Sequence, residues 1–251
     1  METYCATASE ITWEAPPEPL LLASDEVHVW RLPLDEKTDH VERLLDTLAP
    51  DEVERANGFY FPKDRERFVI AHGMTRAILS DYLKVMPNEL RFRYGPFGKP
   101  NLEGSTNKSD LRFNLSHSAG LALLAVTRAR ELGVDLEYQE PKTASEDIAK
   151  RFFSGTEVKS LISLPKGMQT DGFFKCWTRK EAYIKAIGEG LSFPLDQFSV
   201  SVLPSELPGL LEVVGNPMER TKWAFWDLAV SSRYAAALVI EGSNVRLRCF
   251  K

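Results

Sequence analysis

One order of elements, strand then helices then strands, occurs twice along this chain, and that duplication limits the fold more than any single motif does. In the first half, alternation around Val27 and Val29 predicts a strand, and helical spacing follows at Val41, Leu44, Leu45 and Leu48. A longer helix is predicted over 64–83, because Ile70, Ala71, Met74 and Ile78 form one stripe, shared by Arg67, before Pro87 ends the pattern. Turn formers crowd into Gly95-Pro96-Phe97-Gly98-Lys99-Pro100, and the polar stretch 103–110 reads as an exposed loop. Strands are predicted at about 111–115, 121–127 and 133–138, the middle one almost wholly apolar and hence buried. The second half gives a helical segment after Ser154, a helix over 171–187, and strands near Phe198, Leu211, Trp223 and Tyr234.

No low-complexity linker separates the halves, and their residue-level similarity is weak, so a two-part α+β fold with a shared interface is expected, with the site in the cleft between the parts. Order is expected to begin near Ser24, after Pro16, Pro17 and Pro19. A hydrophobic share of 43% and a charged share of 27% suit a globular protein, and 251 residues permit one large domain or two small ones. The formal net charge of -5 argues against a nucleic-acid partner, so any bound phosphate must meet a local basic cluster. Cys5, Cys176 and Cys249 suggest neither a disulfide framework nor a paired-cysteine zinc site and fit a reducing compartment. Acids near the N-terminus and an apolar run of only 20–23 suit neither a signal peptide nor a membrane span, so a cytoplasmic protein without a membrane partner is expected.

Two features carry chemistry. In Gly133-Val134-Asp135-Leu136-Glu137, a strand would send Val134 and Leu136 to the core and set Asp135 and Glu137 side by side on the other face. Two adjacent anions attract a hard cation, and the same pattern also describes a plain solvated strand face. In Phe173-Phe174-Lys175-Cys176-Trp177-Thr178-Arg179-Lys180-Glu181-Ala182-Tyr183-Ile184-Lys185, helical spacing puts Phe174, Trp177, Glu181 and Ile184 on one stripe. A carboxylate on an apolar stripe calls for a cation or a metal, so Glu181 is a third candidate ligand; an i,i+4 pair with Lys185 is the alternative.

G-V-D-L-E followed by W-x-x-K-E-A-x-x-K resembles the signature of the 4′-phosphopantetheinyl transferase superfamily. Phe152-Phe153-Ser154 with Glu157, and Gly188-Glu189-Gly190-Leu191 through Asp196-Phe198-Ser199-Val200, are similar to the family's intervening and following segments. Phe113-Asn114-Leu115-Ser116-His117-Ser118 and Gly98-Lys99-Pro100 resemble the coenzyme A-binding segments of its long, single-chain Sfp-type branch. The resemblance runs over about 50–200. It implies a pseudo-dimer of two similar α+β halves, each an antiparallel sheet plus a long helix, divided here as 1–130 for coenzyme A nucleotide contacts and 131–251 for metal and carrier contacts.

The implied reaction moves the phosphopantetheine arm of coenzyme A, the substrate, to a serine of an apo acyl or peptidyl carrier protein and releases 3′,5′-adenosine diphosphate. Magnesium, with manganese as the other candidate, would sit on Asp135, Glu137 and Glu181. Glu181 or a metal-bound water is then the candidate base, and Lys185 contacts the pyrophosphate. Arg67, Lys99, Asn114, Ser116 and His117 match the coenzyme A positions. Without the family, Arg67 is matched equally by a structural carboxylate partner, Lys99 by a solvated turn residue, and Asn114 and Ser116 by backbone bonding at a strand end. In 50–55, where related enzymes often carry extra lysines, Asp51-Glu52-Val53-Glu54-Arg55 leaves only Arg55 for the 3′-phosphate. Carrier contact is expected on a local apolar and basic patch in 152–164 and the loop before Asp171, and two fused halves imply a monomer. Rival readings are another magnesium-dependent phosphoryl transferase and a non-catalytic coenzyme A- or carrier-binding module.

Overall fold

The computed structural model describes residues 11–35, 41–104, 107 and 109–251. Cys5 and part of the predicted loop 103–110 lie outside them. The architecture is α+β, and its layers follow from which strands are apolar on both faces.

Strand β6 (Leu121–Arg128) is buried from Ala122 to Thr127, as its unbroken apolar run requires. It lies in a sheet of order β1-β12-β2-β6-β5, formed with β1 (Trp13–Glu14), β2 (Glu26–Pro33), β5 (Leu111–Ser118) and β12 (Arg246–Phe250). Side chains of this sheet alternate between two cores. On one face Leu32, Phe113, Ala122, Leu124 and Val126 meet helix α3 (Pro62–Leu83) through Ile70, Ile78 and Leu79. On the other, Val27, Val29, Leu123 and Ala125 meet Val134, Leu136, Leu238 and Ile240 of a second sheet, β10-β11-β7. That sheet comprises β7 (Leu132–Tyr138), β10 (Trp223–Asp227) and β11 (Tyr234–Glu241). Its outer face, through Ala235, Ala237 and Val239, packs on α6 (Lys166–Ile187). Helix, sheet, sheet, helix is therefore the layer order.

The smaller elements are α1 (Val41–Leu45), α2 (Pro50–Asn57), the hairpin β3 (Phe92–Tyr94) and β4 (Pro100–Leu102), α4 (Glu146–Phe152), α5 (Gly155–Ser163), and the pair β8 (Phe198–Val200) and β9 (Leu210–Val213). Pro62 opens α3 where a missing N–H costs nothing, and Lys84 ends it in the left-handed region at φ 56. Gly188, φ 75, ends α6 in the same way and at lower strain.

Two buried ion pairs clamp the helices. Arg76 Nε donates to Glu52 Oε2 at 2.6 Å, joining α3 to α2, and Lys180 Nζ donates to both oxygens of Glu157 at 2.7 and 2.8 Å, joining α6 to α5. Glu52 is thereby an internal residue, which accounts for an acid at that position, while Asp51 and Glu54 are exposed.

The segment ahead of Ser24 is structured despite its prolines: Trp13–Glu14 pairs in parallel with β12, and the Trp13 indole donates to Ala229 O at 2.7 Å. The last strand, β12, runs parallel to β2, so the end of the chain completes the first sheet rather than the second.

Candidate active site

The edge strand of each sheet meets the other at a seam between β5 and β7. There β5 uses alternate side chains in place of a backbone ladder. Asn114 Oδ1 accepts from Val134 N at 2.9 Å, Ser116 Oγ donates to Asp135 Oδ1 at 3.0 Å, and Ser118 Oγ donates to Glu137 Oε2 at 3.1 Å while accepting from Tyr138 N at 3.0 Å. Two edge donors of β7, Val134 N and Tyr138 N, are thus satisfied, and its two acids are held on the face turned to α6. Gly133 makes this approach possible, since a Cβ there would collide with Ala182 O and Ala186 N of the helix.

Helix α6 is buried on nearly every side, so the expected apolar stripe interrupted by Glu181 is not what forms. Phe174 and Ile184 are deep in the core, while Trp177, Glu181 and Lys185 make a half-buried line facing the β7 acids. The buried polar residues between them are paired: besides Lys180, Arg179 forks onto Asp227 through Nε at 2.8 Å and Nη2 at 2.5 Å.

The electrostatics of the seam are weighted toward negative charge. Asp135 is 3% exposed; its Oδ1 accepts from Lys185 Nζ at 2.6 Å, and its Oδ2 is buried without a hydrogen-bond partner. Burial, then the charge of Asp135, raises the Glu137 carboxyl above its usual range. Burial, with Asp135 and Glu137 adding to it and Lys185 opposing, pushes Glu181 up to about 7. Lys185 therefore pairs with Asp135 across the seam, not with Glu181 along the helix. Among the described residues no three His, Cys, Asp or Glu side chains are gathered closely enough to grip a metal. The residues nonetheless fit a hard divalent cation in kind: the donors are all carboxylate oxygens, one of them orphaned and buried, and the charge of Asp135 raises the proton affinity of both Glu137 and Glu181.

The cationic candidates are placed less uniformly. Arg67 forks onto Asp35 at 2.7 Å through Nε and Nη2, the structural partner that an arginine on an apolar stripe calls for. Lys99 is no solvated turn residue; only 12% of its side chain is exposed, and its ammonium bonds Glu131, Leu132 O and Ala186 O. His117 reaches solvent, and partial burial followed by the charges of His72, Lys185 and Arg67 holds its pKa below the usual 6.5. Arg55 lies with its guanidinium 5.2 Å from the ring centre of Phe68, which stacks on His72 at 4.0 Å.

Sequence reasoning places Trp177 on the Glu181 stripe and Ser118 within its motif without giving either a role, although the two-residue alternation Asn114, Ser116, Ser118 is a signal for the latter; it misses Asp35 and His72, which left none. Two cavities, one of ≈ 290 Å³ beside Ser154 and Ser199 and one of ≈ 450 Å³ beside Lys99 and Arg112, lie away from the acids.

Comparison with known proteins gives concordant matches. Residues 131–239 match the family described as "4'-phosphopantetheinyl transferase superfamily", and residues 34–129 match "4'-phosphopantetheinyl transferase, N-terminal". The chain is 42% identical to the 4'-phosphopantetheinyl transferase HetI of Nostoc sp., over 92% of this chain and 94% of that protein. It is 36% identical to the 4'-phosphopantetheinyl transferase Sfp of Bacillus subtilis, over 63% of this chain and 68% of that one. A holo-(acyl-carrier-protein) synthase from Bacillus anthracis, solved with coenzyme A, covers 45% of this chain and 96% of its own at 20% identity and a TM-score of 0.37, a likeness that adds no weight.

Proposed function

The chain belongs to the 4′-phosphopantetheinyl transferase superfamily, and on that premise we propose that the β5–β7–α6 seam transfers the phosphopantetheine arm of coenzyme A to a serine of an apo acyl or peptidyl carrier protein. The observation that carries this reading is the trio Asp135, Glu137 and Glu181, each within the electrostatic reach of the others at the meeting of the two sheets.

In the reaction, the carrier serine Oγ forms a bond to the β-phosphorus of coenzyme A. The bond from that phosphorus to the bridging oxygen breaks, and 3′,5′-adenosine diphosphate leaves with the electron pair. Such transfer asks the protein for alignment and charge neutralisation more than for covalent chemistry. Asp135, Glu137 and Glu181 would hold magnesium, or manganese in its place, and the bound cation supplies neutralisation of the pyrophosphate. Glu181, with a pKa of about 7 before any cation binds, is the candidate acceptor of the serine proton; a carboxylate shared with a cation is a weaker base, and water in the seam is the second candidate. Lys185, whose ammonium already bonds Asp135 and Ser116, offers its charge to a pyrophosphate oxygen. Arg67, His117 and Arg55 are assigned to the nucleotide phosphates, and Asn114 and Ser116 to the shape of the seam.

Residues 1–130 would carry the nucleotide contacts, and 131–251 the acids and the carrier contacts. Support for a carrier surface on α5 and the start of α6 comes from exposed Ile162 and Met168 beside exposed Lys159 and Lys166, an apolar and basic patch suited to an acidic helical partner. Phe153, by contrast, is core, and Phe152 packs on Trp177. No helix among the described residues is long and apolar enough to cross a membrane. A monomer in the cytoplasm is the state we assign, in keeping with two buried free thiols, Cys176 and Cys249.

The test is intact-protein mass spectrometry of an apo carrier incubated with the enzyme, coenzyme A and magnesium. A gain equal to the phosphopantetheine arm, abolished by a chelator, is expected. Absence of any gain across fatty-acid, polyketide and peptide carriers, with coenzyme A still bound, would favour the binding-module reading instead.

A further inference from the structure

We infer that Lys99 is a positioning residue, one that ties the β3–β4 hairpin to the end of α6 and the start of β7 and so keeps the acid-bearing elements in register. The inference rests on the transferase reading of the seam.

An ammonium has three hydrogens, and here each has a protein acceptor: Glu131 Oε2 at 2.9 Å, Leu132 O at 3.1 Å and Ala186 O at 3.0 Å. None remains for a phosphate oxygen. The acceptors belong to separate pieces of chain. Ala186 lies in the last turn of α6, where carbonyls have no helical partner and the helix dipole is negative, so a cation is doubly favoured. Leu132 begins β7, and Glu131 precedes it.

The position matters because of what stands next to these acceptors. Lys185 is the neighbour of Ala186, Glu181 is one turn earlier, and Asp135 and Glu137 follow Leu132 along β7. Gly133 presses β7 against Ala182 and Ala186 from within, and Lys99 closes the same junction from the other side. Burial lowers the Lys99 pKa, with Glu131 opposing, as for a cation retained by its partners rather than by water. A small slip at this junction would alter the spacing of Glu181 from Asp135, and misplacement by about 1 Å can cost on the order of 100-fold in rate.

Reductive methylation of the native enzyme, read by peptide mass spectrometry, tests the first part. Lys99 is expected to react at least about tenfold more slowly than Lys63, whose side chain is 65% exposed, and at the same rate with or without coenzyme A. Reaction as fast as Lys63 in the free enzyme, with protection by coenzyme A, would make Lys99 a nucleotide contact and overturn the inference.

The second part uses Lys99→Met. A loss of kcat of about tenfold or more is expected, with KM for coenzyme A within about twofold of wild type and Mn2+ affinity, measured by electron paramagnetic resonance, about tenfold weaker. A raised KM with kcat and Mn2+ affinity unchanged would contradict it, as would no change in any of the three. If this variant does not fold, the methylation result decides alone. A wild-type enzyme that transfers nothing would sink the transferase reading, whereas an active wild type with the contradicting pattern would sink only the role of Lys99.

Discussion

Helices α3 and α6 are both 22 residues long, and each carries a buried cation at the equivalent position, Arg76 in one and Lys180 in the other. Each cation pairs with a glutamate from the preceding short helix, and that glutamate also accepts the N–H just before its own helix: Ala49 N to Glu52 at 2.9 Å, Ser154 N to Glu157 at 2.7 Å. Each then reaches a carbonyl farther along the chain and lies over an aromatic ring, Arg76 on Leu90 O and Phe92, Lys180 on Phe198 O and Phe198. The clamp is repeated although the residues are not. What differs is the neighbouring line: α6 has Trp177, Glu181 and Lys185, where α3 has Gly73, Ala77 and Asp81. A Cβ on Gly73 would stand 2.7 Å from Leu44 Cβ, so α3 spends that line on packing α1, while α6 leaves it facing the seam. In the proposed reading, one scaffold uses this line for packing in the first half and for chemistry in the second.

The clamps carry the largest expected effect. Removing one partner of a buried pair leaves the other charge unmatched, so Lys180→Met and Arg76→Met are each expected to cost about 3–5 kcal/mol in urea denaturation. A loss in one half only would show that the clamps are not equivalent. The acid line is sharpened by a cation titration. Glu181 is protonated below about 7 in the free enzyme and must lose that proton to serve as a ligand, so affinity for Mn2+ should rise with pH through that value. About tenfold tighter binding at pH 8 than at pH 6 is expected, and a flat profile would remove Glu181 from the cation. The smallest effect concerns the first half's own contribution. Arg67→Met should raise KM for coenzyme A by about fivefold and leave KM for 3′-dephospho-coenzyme A nearly unchanged; equal shifts would mean that Arg67 serves Asp35 alone.

Much of this is legible in the chain. The run 121–127 announces a doubly buried strand, and the alternation in Gly133–Glu137 puts Val134 and Leu136 inside with the acids opposite. The predicted helix over 64–83 differs from α3 by two residues at its start, where Pro62 already suits a first turn. Other features have no local signature. Nothing in Arg246–Phe250 indicates that it pairs in parallel with β2, because that contact depends on the path of the whole chain. The helical stripe through Glu181 misleads because periodicity assumes one buried face, and α6 is enclosed on nearly all sides, with its buried polar residues paired. Lys99 reads as a turn lysine in water until three oxygens from other segments converge on it.

Glu181→Gln separates the clamp from the acid line most directly, since it removes the charge while keeping the shape, and it leaves Lys180 and Glu157 untouched. Transfer to an apo carrier and the thermal midpoint should be measured on the same preparation. Transfer is expected to fall about 100-fold or more with the midpoint unchanged. Transfer within a few-fold of wild type would contradict it, and the chemistry would then have to be sought away from the seam.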